Sequence, residues 1–171
     1  MSRVESRKVW IGIDPGGSGG LVALFSSGNV VAIPMPETER DIWNWFTQFQ
    51  GDNTEPTAII EKVHAMPKMG VASMFTFGEG YGGLRMALIA AGIPFQEVQP
   101  RMWQKAVGIT AKGKEESKPD FKLRLRAKAQ QLFPQLTMWT GKRNKGEQMA
   151  VCDALLIAFF CKRTDGIDLG G

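Results

Sequence analysis

The stretch that decides the fold is VWIGIDPGGSGGLVALFSSGNVVAI, which spans residues 9–33. Its first six residues are typical of a buried strand that ends at Asp14, and PGGSGG (15–20) is typical of a tight turn. LVALF (21–25) and NVVAI (29–33) are two further strands, joined by the turn residues 26–28. We therefore predict an antiparallel three-stranded meander at the start of the chain.

Strands and helices alternate in the rest of the sequence. TAIIEKV (57–63) and FQEVQ (95–99) are predicted strands. Predicted helices cover 39–50, 74–91, a segment that begins at Pro100, 120–133, and about Lys145 to Cys161. This order predicts the α/β class, with a mixed β-sheet (the antiparallel meander plus parallel strands) flanked by helices.

Length and composition predict one globular domain. The chain has 171 residues, of which 43% are hydrophobic and 22% charged, and these values exclude disordered and fibrous classes. We expect a single domain over 1–171 with flexible ends at 1–8 and 164–171. No apolar run approaches the roughly 18–20 residues that span a bilayer, and MSRVESRK is unlike a signal peptide. We expect no membrane association or secretion, and a cytoplasmic location or an organellar nucleoid after removal of a targeting segment.

Three acids occur where a scaffold would present them. Asp14 ends the first strand, Glu61 lies in an apolar strand, and Asp153 lies in the apolar helix MAVCDALLIAFF. Buried carboxylates need a cation or a polar partner. Because the chain has two cysteines and only one histidine, these acids favour Mg²⁺ or Mn²⁺ over a transition metal.

Each acid also has a structural explanation that remains open. Asp14 could cap the turn that follows it. Glu61 could pair with an arginine or with Lys62, although neighbouring residues in a strand point to opposite faces. Asp153 could pair with a buried lysine or arginine.

The excess positive charge is local. The net charge is +4, and residues 112–128 hold seven basic and three acidic residues, a surplus of four within 17 residues. Such a segment is typical of a polyanion-binding face, or else of a solvated helix face. Phe121, Leu125 and Leu132 share one face of the predicted helix, whereas Lys118, Lys122 and Arg126 share another. Together with the acids, this face suggests two-metal hydrolysis of a phosphodiester.

Four motifs resemble the RuvC-like Holliday-junction resolvases, most closely their phage-type and plastid-type branch. They are GIDPGGSGG, AIIEKVHAMPKMGVASMFTFGEGYGGL, the Pro100 and Trp103 pair with Lys105, and CDALLIA, and together they span roughly residues 9–163. The resemblance implies an RNase H-like nuclease domain, a homodimer without a nucleotide cofactor, and Mg²⁺-dependent symmetric nicking of four-way DNA junctions. Two metal ions per site would activate the attacking water and stabilise the leaving 3′ oxygen.

The resemblance also implies roles for individual residues. Asp14, Glu61 and Asp153 match the family's metal ligands and catalytic acids. By position, His64, Met66, Phe75 and Phe77 would approach the junction centre, although the two phenylalanines could instead pack helices near the dimer interface. The residues expected to neutralise DNA phosphates are Lys112, Lys114, Lys118, Lys122, Arg124 and Arg126.

The sequence departs from the family one helical turn before the last acid, where another acid is usual. Ala150 and Met149 occupy those positions. Glu147 is the nearest acid, but with Asn144 it also fits the capping box N-x-x-E. A compensating role for Glu147, helix capping, and an altered or weakened site are all open.

Other functions remain open alongside junction resolution. A catalytically weak or inactive junction-binding protein of the same fold is one, and a nuclease for other branched or flap DNA is another. An actin-like sugar kinase or ATPase, suggested by DPGGSGG, requires two RNase H-like lobes, and 171 residues supply one.

Overall fold

The computed structural model describes residues 6–64, 70–136, 145–165, 167 and 169, with the backbone alone at 145–147. Within these residues, one five-stranded sheet has the order β3-β2-β1-β4-β5. Its strands are β1 (Arg7–Asp14), β2 (Gly20–Phe25), β3 (Val30–Pro34), β4 (Thr54–Glu61) and β5 (Phe95–Val98). The first three pair antiparallel, whereas β1 with β4 and β4 with β5 pair parallel. The predicted meander and mixed α/β sheet are confirmed.

Helices cover both faces of the sheet. They are α1 (Glu39–Thr47), α2 (Val71–Ala90), α3 (Pro100–Ala106), α4 (Lys118–Leu132) and α5 (Lys145–Arg163). On one face, alternate β1 residues such as Ile11 pack with α1 and α2 through Phe46 and Leu88. On the other face, Trp10 and its β2 and β4 neighbours pack with α3, α4 and α5. Because successive side chains of β1 point to opposite faces of the sheet, β1 contributes to the hydrophobic core on each face.

Several boundaries differ from the predicted ones, each for a local reason. β1 begins at Arg7 because it pairs with Thr54 of β4, so two residues expected in a flexible end belong to the sheet. β4 ends at Glu61, two residues before the predicted end. α4 begins at Lys118, inside the predicted loop, because the Ser117 side chain caps the helix and a proline fits its first turn.

Among the described residues, no helix is both long and apolar enough to cross a bilayer.

Candidate active site and DNA-binding surface

Two of the predicted acids lie side by side at one edge of the sheet. Asp14 is the last residue of β1 and Glu61 the last of β4. These strands are parallel neighbours, with Ile13 opposite Ile60, so their carboxyl ends meet at the same edge. The sheet register therefore brings together two acids that are 47 residues apart in the sequence.

The third acid reaches the same place because α5 packs unusually close to the sheet. A Cβ atom on Gly12 of β1 would lie 2.1 Å from the Ala154 carbonyl oxygen and 2.3 Å from the Ala158 nitrogen. Only a glycine permits this approach of strand and helix backbones. Asp153 precedes Ala154, is 5% exposed, and interacts electrostatically with Asp14 and Glu61.

The pKa values of the three carboxyl groups are all raised. Burial, followed by the charges of Asp153 and Glu61, holds the pKa of Asp14 well above its ordinary value. Burial also raises the pKa of Glu61 to about 7, despite a hydrogen bond that favours its charged form. Burial raises the pKa of Asp153, although Lys122 opposes the shift. Three acids in one partly desolvated place thus resist being charged together.

Trp103 orients Glu61, a role that the sequence analysis did not assign. Its indole Nε1 donates a hydrogen bond of 2.8 Å to Glu61 Oε2, and its side chain is fully buried on α3. A buried tryptophan needs an acceptor for its N–H group, which was the available sequence signal. That signal does not say which acceptor, because 42 residues separate the pair.

Lys122 lies among the acids. Its Nζ donates a hydrogen bond to Asp153 Oδ2, and the two groups form an ion pair across α4 and α5. Asp14 and Glu61 also contribute to the raised pKa of Lys122, which burial alone would lower. In the structure, Asp153 is therefore the partner of a basic residue, Lys122, which is the explanation of this acid that the sequence left open.

The three carboxylates offer the oxygen ligands that a hard divalent cation prefers, but their side chains are not arranged to bind one. Asp153 Oδ1 is buried and has no hydrogen-bond partner within the described residues. All the donors are carboxylate oxygens, which suit Mg²⁺ or Mn²⁺. Nevertheless, no three His, Cys, Asp or Glu side chains in the described part of the chain already stand where they could hold a metal ion. A divalent cation fits these residues only if the side chains move.

The resemblance led us to expect a further acid at one of two positions on α5, and of these Ala150 is buried and Met149 half-buried. Ala150 is 8% exposed, and its carbonyl oxygen would lie 2.8 Å from a Cβ atom on Gly20 of β2. The side chain of Glu147, as well as Asn144, lies outside the described residues. The proposed roles of Glu147 therefore stay predictions.

Several of the predicted phosphate-binding residues are held by the protein itself. Arg124 donates to both carboxylate oxygens of Glu116, at 2.7 and 2.9 Å, and to Thr110. Arg126 donates to Gln148 Oε1 at 2.7 Å. Lys112 donates to the carbonyl oxygens of Gly113 and Glu116. The predicted basic face of α4 thus points in part toward α5, because Lys122 and Arg126 both bind residues of that helix.

Two lysines of the set are both exposed and free of protein partners among the described residues. Lys114 lies in the connection between α3 and α4, and Lys118 is the first residue of α4. No hydrogen bond or ion pair within the described residues engages either ammonium group. They are the members of the set that are best placed to meet a phosphate backbone.

The aromatic residues proposed to approach a junction occupy different environments. The Phe75 side chain is 68% exposed at the start of α2. Phe77 is half-buried, and its Cε2 lies 3.0 Å from where a Cβ atom on Gly16 would be, so its ring lies against the turn after Asp14. His64 is exposed just past β4, and Met66 lies outside the described residues.

Comparison with known proteins identifies the fold. The structure of Thermus thermophilus RuvC aligns with a TM-score of 0.51 and 17% sequence identity, over 92% of this chain and 96% of that one. The chain has a RuvC-like fold. The T. thermophilus RuvC in complex with Holliday junction substrate aligns with a TM-score of 0.46 and 18% identity, over 93% and 96% of the two chains. No protein-family model matches the sequence. No curated protein matches it either.

The RuvC-like fold agrees with the architecture that the motifs implied. At 17% identity the likeness concerns the fold, so the function has to be argued from the site.

Proposed function

We propose that the protein is a divalent-metal-dependent endonuclease that resolves four-way DNA junctions by paired nicks. The observation that carries this proposal is the convergence of Asp14, Glu61 and Asp153 at one edge of the sheet, with the buried Asp153 Oδ1 lacking a partner among the described residues. The motif resemblance given above supplies the substrate, and the RuvC-like fold is compatible with it.

The chain's own residues would hold the cations and the substrate. Asp14, Glu61 and Asp153 would bind one or two Mg²⁺ or Mn²⁺ ions through oxygen. Bound there, the ions supply Lewis-acid stabilisation of the reacting phosphate and lower the pKa of the attacking water. Water adds to phosphorus, the bond to the 3′ oxygen breaks, and a 5′-phosphate and a 3′-hydroxyl remain. Trp103 would keep one Glu61 oxygen in a fixed direction.

The surface charges favour a path for DNA on the α4 side of the site. Exposed Lys114 and Lys118 lie on that side. A groove of about 720 Å³ between the turn after Asp14 and α2 has Glu37, Glu39 and Glu79 among its lining residues and no lysine or arginine. Three acids beside a groove repel phosphates, so we assign the DNA backbone to the basic side.

The outer face of α2 supports a homodimer. This helix buries Leu84 and Leu88, whereas Phe75, Met86 and Ile89 are 59–68% exposed. Exposed apolar groups on one helix are typical of a protein interface. A two-fold symmetric dimer would present two sites to the two strands of a junction with matching symmetry.

The decisive experiment is cleavage of a synthetic four-way junction in Mg²⁺ and in Mn²⁺. We compare the wild type with Asp14→Asn and with Asp52→Asn, which makes the same change in an exposed turn away from the cluster. Paired nicks in the wild type and in Asp52→Asn, lost in Asp14→Asn, are expected. Nicks that persist in Asp14→Asn contradict the assigned site.

A second candidate is a junction-binding protein that cuts weakly or not at all. Ala150 at the position of the family's further acid, together with Lys122 among the carboxylates, favours it. It predicts tight binding of junctions without nicks in either metal, and a gain of cleavage in Ala150→Asp. Flap and fork substrates in the same assay test the remaining alternative, in which other branched DNA is cut faster than the junction.

A further inference from the structure

Lys122 differs from the other lysines of its segment in where its charge lies. Within the described residues, Lys114 and Lys118 have no hydrogen bond or ion pair, whereas the Lys122 ammonium group pairs with Asp153, whose side chain is 8% exposed. Its charge also acts on Asp14 and Glu61. The positive charge of Lys122 thus interacts favourably with all three carboxylates of the proposed metal site.

The position of this cation conflicts with that of a metal ion. A lysine ammonium group has three donors and no acceptor, so it can neutralise carboxylates but cannot bind a metal. A divalent cation needs the Asp153 oxygens that Lys122 uses, and cations 3–4 Å apart repel strongly in a partly buried site. Within the described residues, no three acidic side chains stand ready to hold an ion, and Asp153 is paired with Lys122 instead.

We propose that Lys122 is an internal counter-ion that leaves Asp153 when a divalent cation binds and then becomes available to a DNA phosphate. This inference rests on the metal site of the proposed function. The exchange breaks the hydrogen bond between Lys122 Nζ and Asp153 Oδ2 and replaces it with oxygen–metal contacts. The exchange between Lys122 and Asp153 moves no proton, because the lysine leaves charged and the Asp153 carboxylate stays charged, whereas a proton held by Glu61 or Asp14 leaves when the metal ion binds.

The position of Lys122 on α4 suits both the state paired with Asp153 and the released state that meets DNA. It is one helical turn from Lys118, on the same face of the helix, and the long flexible stem of lysine lets the charged group swing into solvent. The side chain is already 46% exposed, so only its tip has to move. Metal loading would therefore add one positive charge to the surface on which we place the DNA.

The first test measures Mn²⁺ affinity by titration calorimetry on the full chain without DNA. Lys122→Met removes the competing charge, and Lys128→Met removes an equal charge from the same helix outside the cluster. We expect Lys122→Met to bind Mn²⁺ about tenfold more tightly than wild type, or about 1.4 kcal/mol. Lys128→Met should bind as wild type does. Wild-type or weaker affinity in Lys122→Met overturns the exchange.

The second test needs no variant, so it stands even if Lys122→Met folds poorly. Wild-type protein is acetylated briefly in chelator and in Mg²⁺, and modification of Lys122 is measured by peptide mass spectrometry relative to Lys128. The ratio should rise severalfold in Mg²⁺, because a released amine reacts faster than one in an ion pair. An unchanged ratio overturns the proposal.

The two proposals fail in different ways. If the wild type, Lys122→Met and Lys128→Met bind Mn²⁺ equally well, the exchange fails and the metal site stands. If none of the three binds Mn²⁺, the metal site fails, and the proposed function and the exchange fail with it.

Discussion

Trp103 Nε1 donates a 2.8 Å hydrogen bond to Glu61 Oε2, and this bond joins α3 to the carboxyl end of β4. It opposes the effect of burial on the pKa of Glu61, because a donor stabilises the charged carboxylate. The same bond leaves one Glu61 oxygen for other partners. Trp103 is therefore a positioning residue of the candidate site.

Removing the indole N–H group of Trp103 should weaken metal binding, beyond any effect of the changed packing, because Glu61 loses its hydrogen-bond donor. Trp103→Phe keeps an aromatic ring in the core but removes the donor to Glu61. We expect about tenfold weaker Mn²⁺ binding, measured by calorimetry, and a loss of about 1–3 kcal/mol in the free energy of unfolding. The matched control is Trp45→Phe, because Trp45 is buried on the opposite face and its Nε1 has no partner within the described residues. Equal Mn²⁺ affinities in the two variants would argue against the positioning role.

The stability of the metal-free protein should fall as the pH rises. The pKa of Glu61 is raised from 4.5 to about 7 in the folded chain, so the folded state holds this proton more tightly than the unfolded state does. The resulting stabilisation is complete below the unfolded pKa and is lost as the pH rises through about 7. Asp14 acts in the same direction. In chelator, the melting temperature should be lower at about pH 8 than at about pH 5.5.

Divalent cations and one substitution check this explanation. Mg²⁺ should raise the melting temperature more at the higher pH, where the carboxylates are charged. Glu61→Gln has no proton to lose, so its melting temperature in chelator should depend less on pH. A dependence as steep as that of the wild type would assign the effect to other groups.

Gly12 should be among the least tolerant positions in the chain. Its added Cβ atom would lie 2.1 Å from the Ala154 carbonyl oxygen, so Gly12→Ala must push α5 away from β1. We expect a loss of about 3 kcal/mol or more in denaturant unfolding, together with weaker Mn²⁺ binding as Asp153 moves from Asp14. At Gly51 a Cβ atom would meet its nearest neighbour at 3.5 Å, so Gly51→Ala should cost less than about 1 kcal/mol. Similar losses at both positions would refute the close-packing argument.

The exposed lysines should dominate the salt dependence of DNA binding. Each lost phosphate contact lowers the slope of log affinity against log salt by about 0.9, so Lys114→Ala with Lys118→Ala should lower it by about 2. Arg40→Ala, at an exposed position of α1 on the other face of the sheet, should leave the slope unchanged. Fluorescence anisotropy on a labelled junction at several salt concentrations measures both. An unchanged slope in the double variant would place the DNA elsewhere.

A charge on the outer face of α2 should separate the proposed dimer. Ile89 is 60% exposed there, and Ile89→Asp should give a monomer in sedimentation equilibrium, because a buried unpaired carboxylate opposes association. Leu123→Asp is the matched control, since Leu123 is 54% exposed on α4. Dissociation in both variants, or in neither, would speak against an interface on α2.

The sequence by itself determined the meander, the alternation that follows it and the identity of the three acids. Those features depend on local rules: the glycine-rich turn after Asp14, the apolar alternation of β1, and the exclusion of His and Cys chemistry by count. The RuvC-like motifs added an expected role for each acid. These predictions needed only neighbours in the sequence.

Only the tertiary structure decided which partners those acids meet. Lys122 was predicted to face DNA because helical spacing shows which residues share a face, but not what that face packs against. Packing of α4 on α5 turned its ammonium group toward Asp153 instead. Likewise, the hydrogen bond between Trp103 and Glu61 joins residues far apart in the chain. Contacts of this kind arise from packing across the sheet, where spacing along the sequence carries no information.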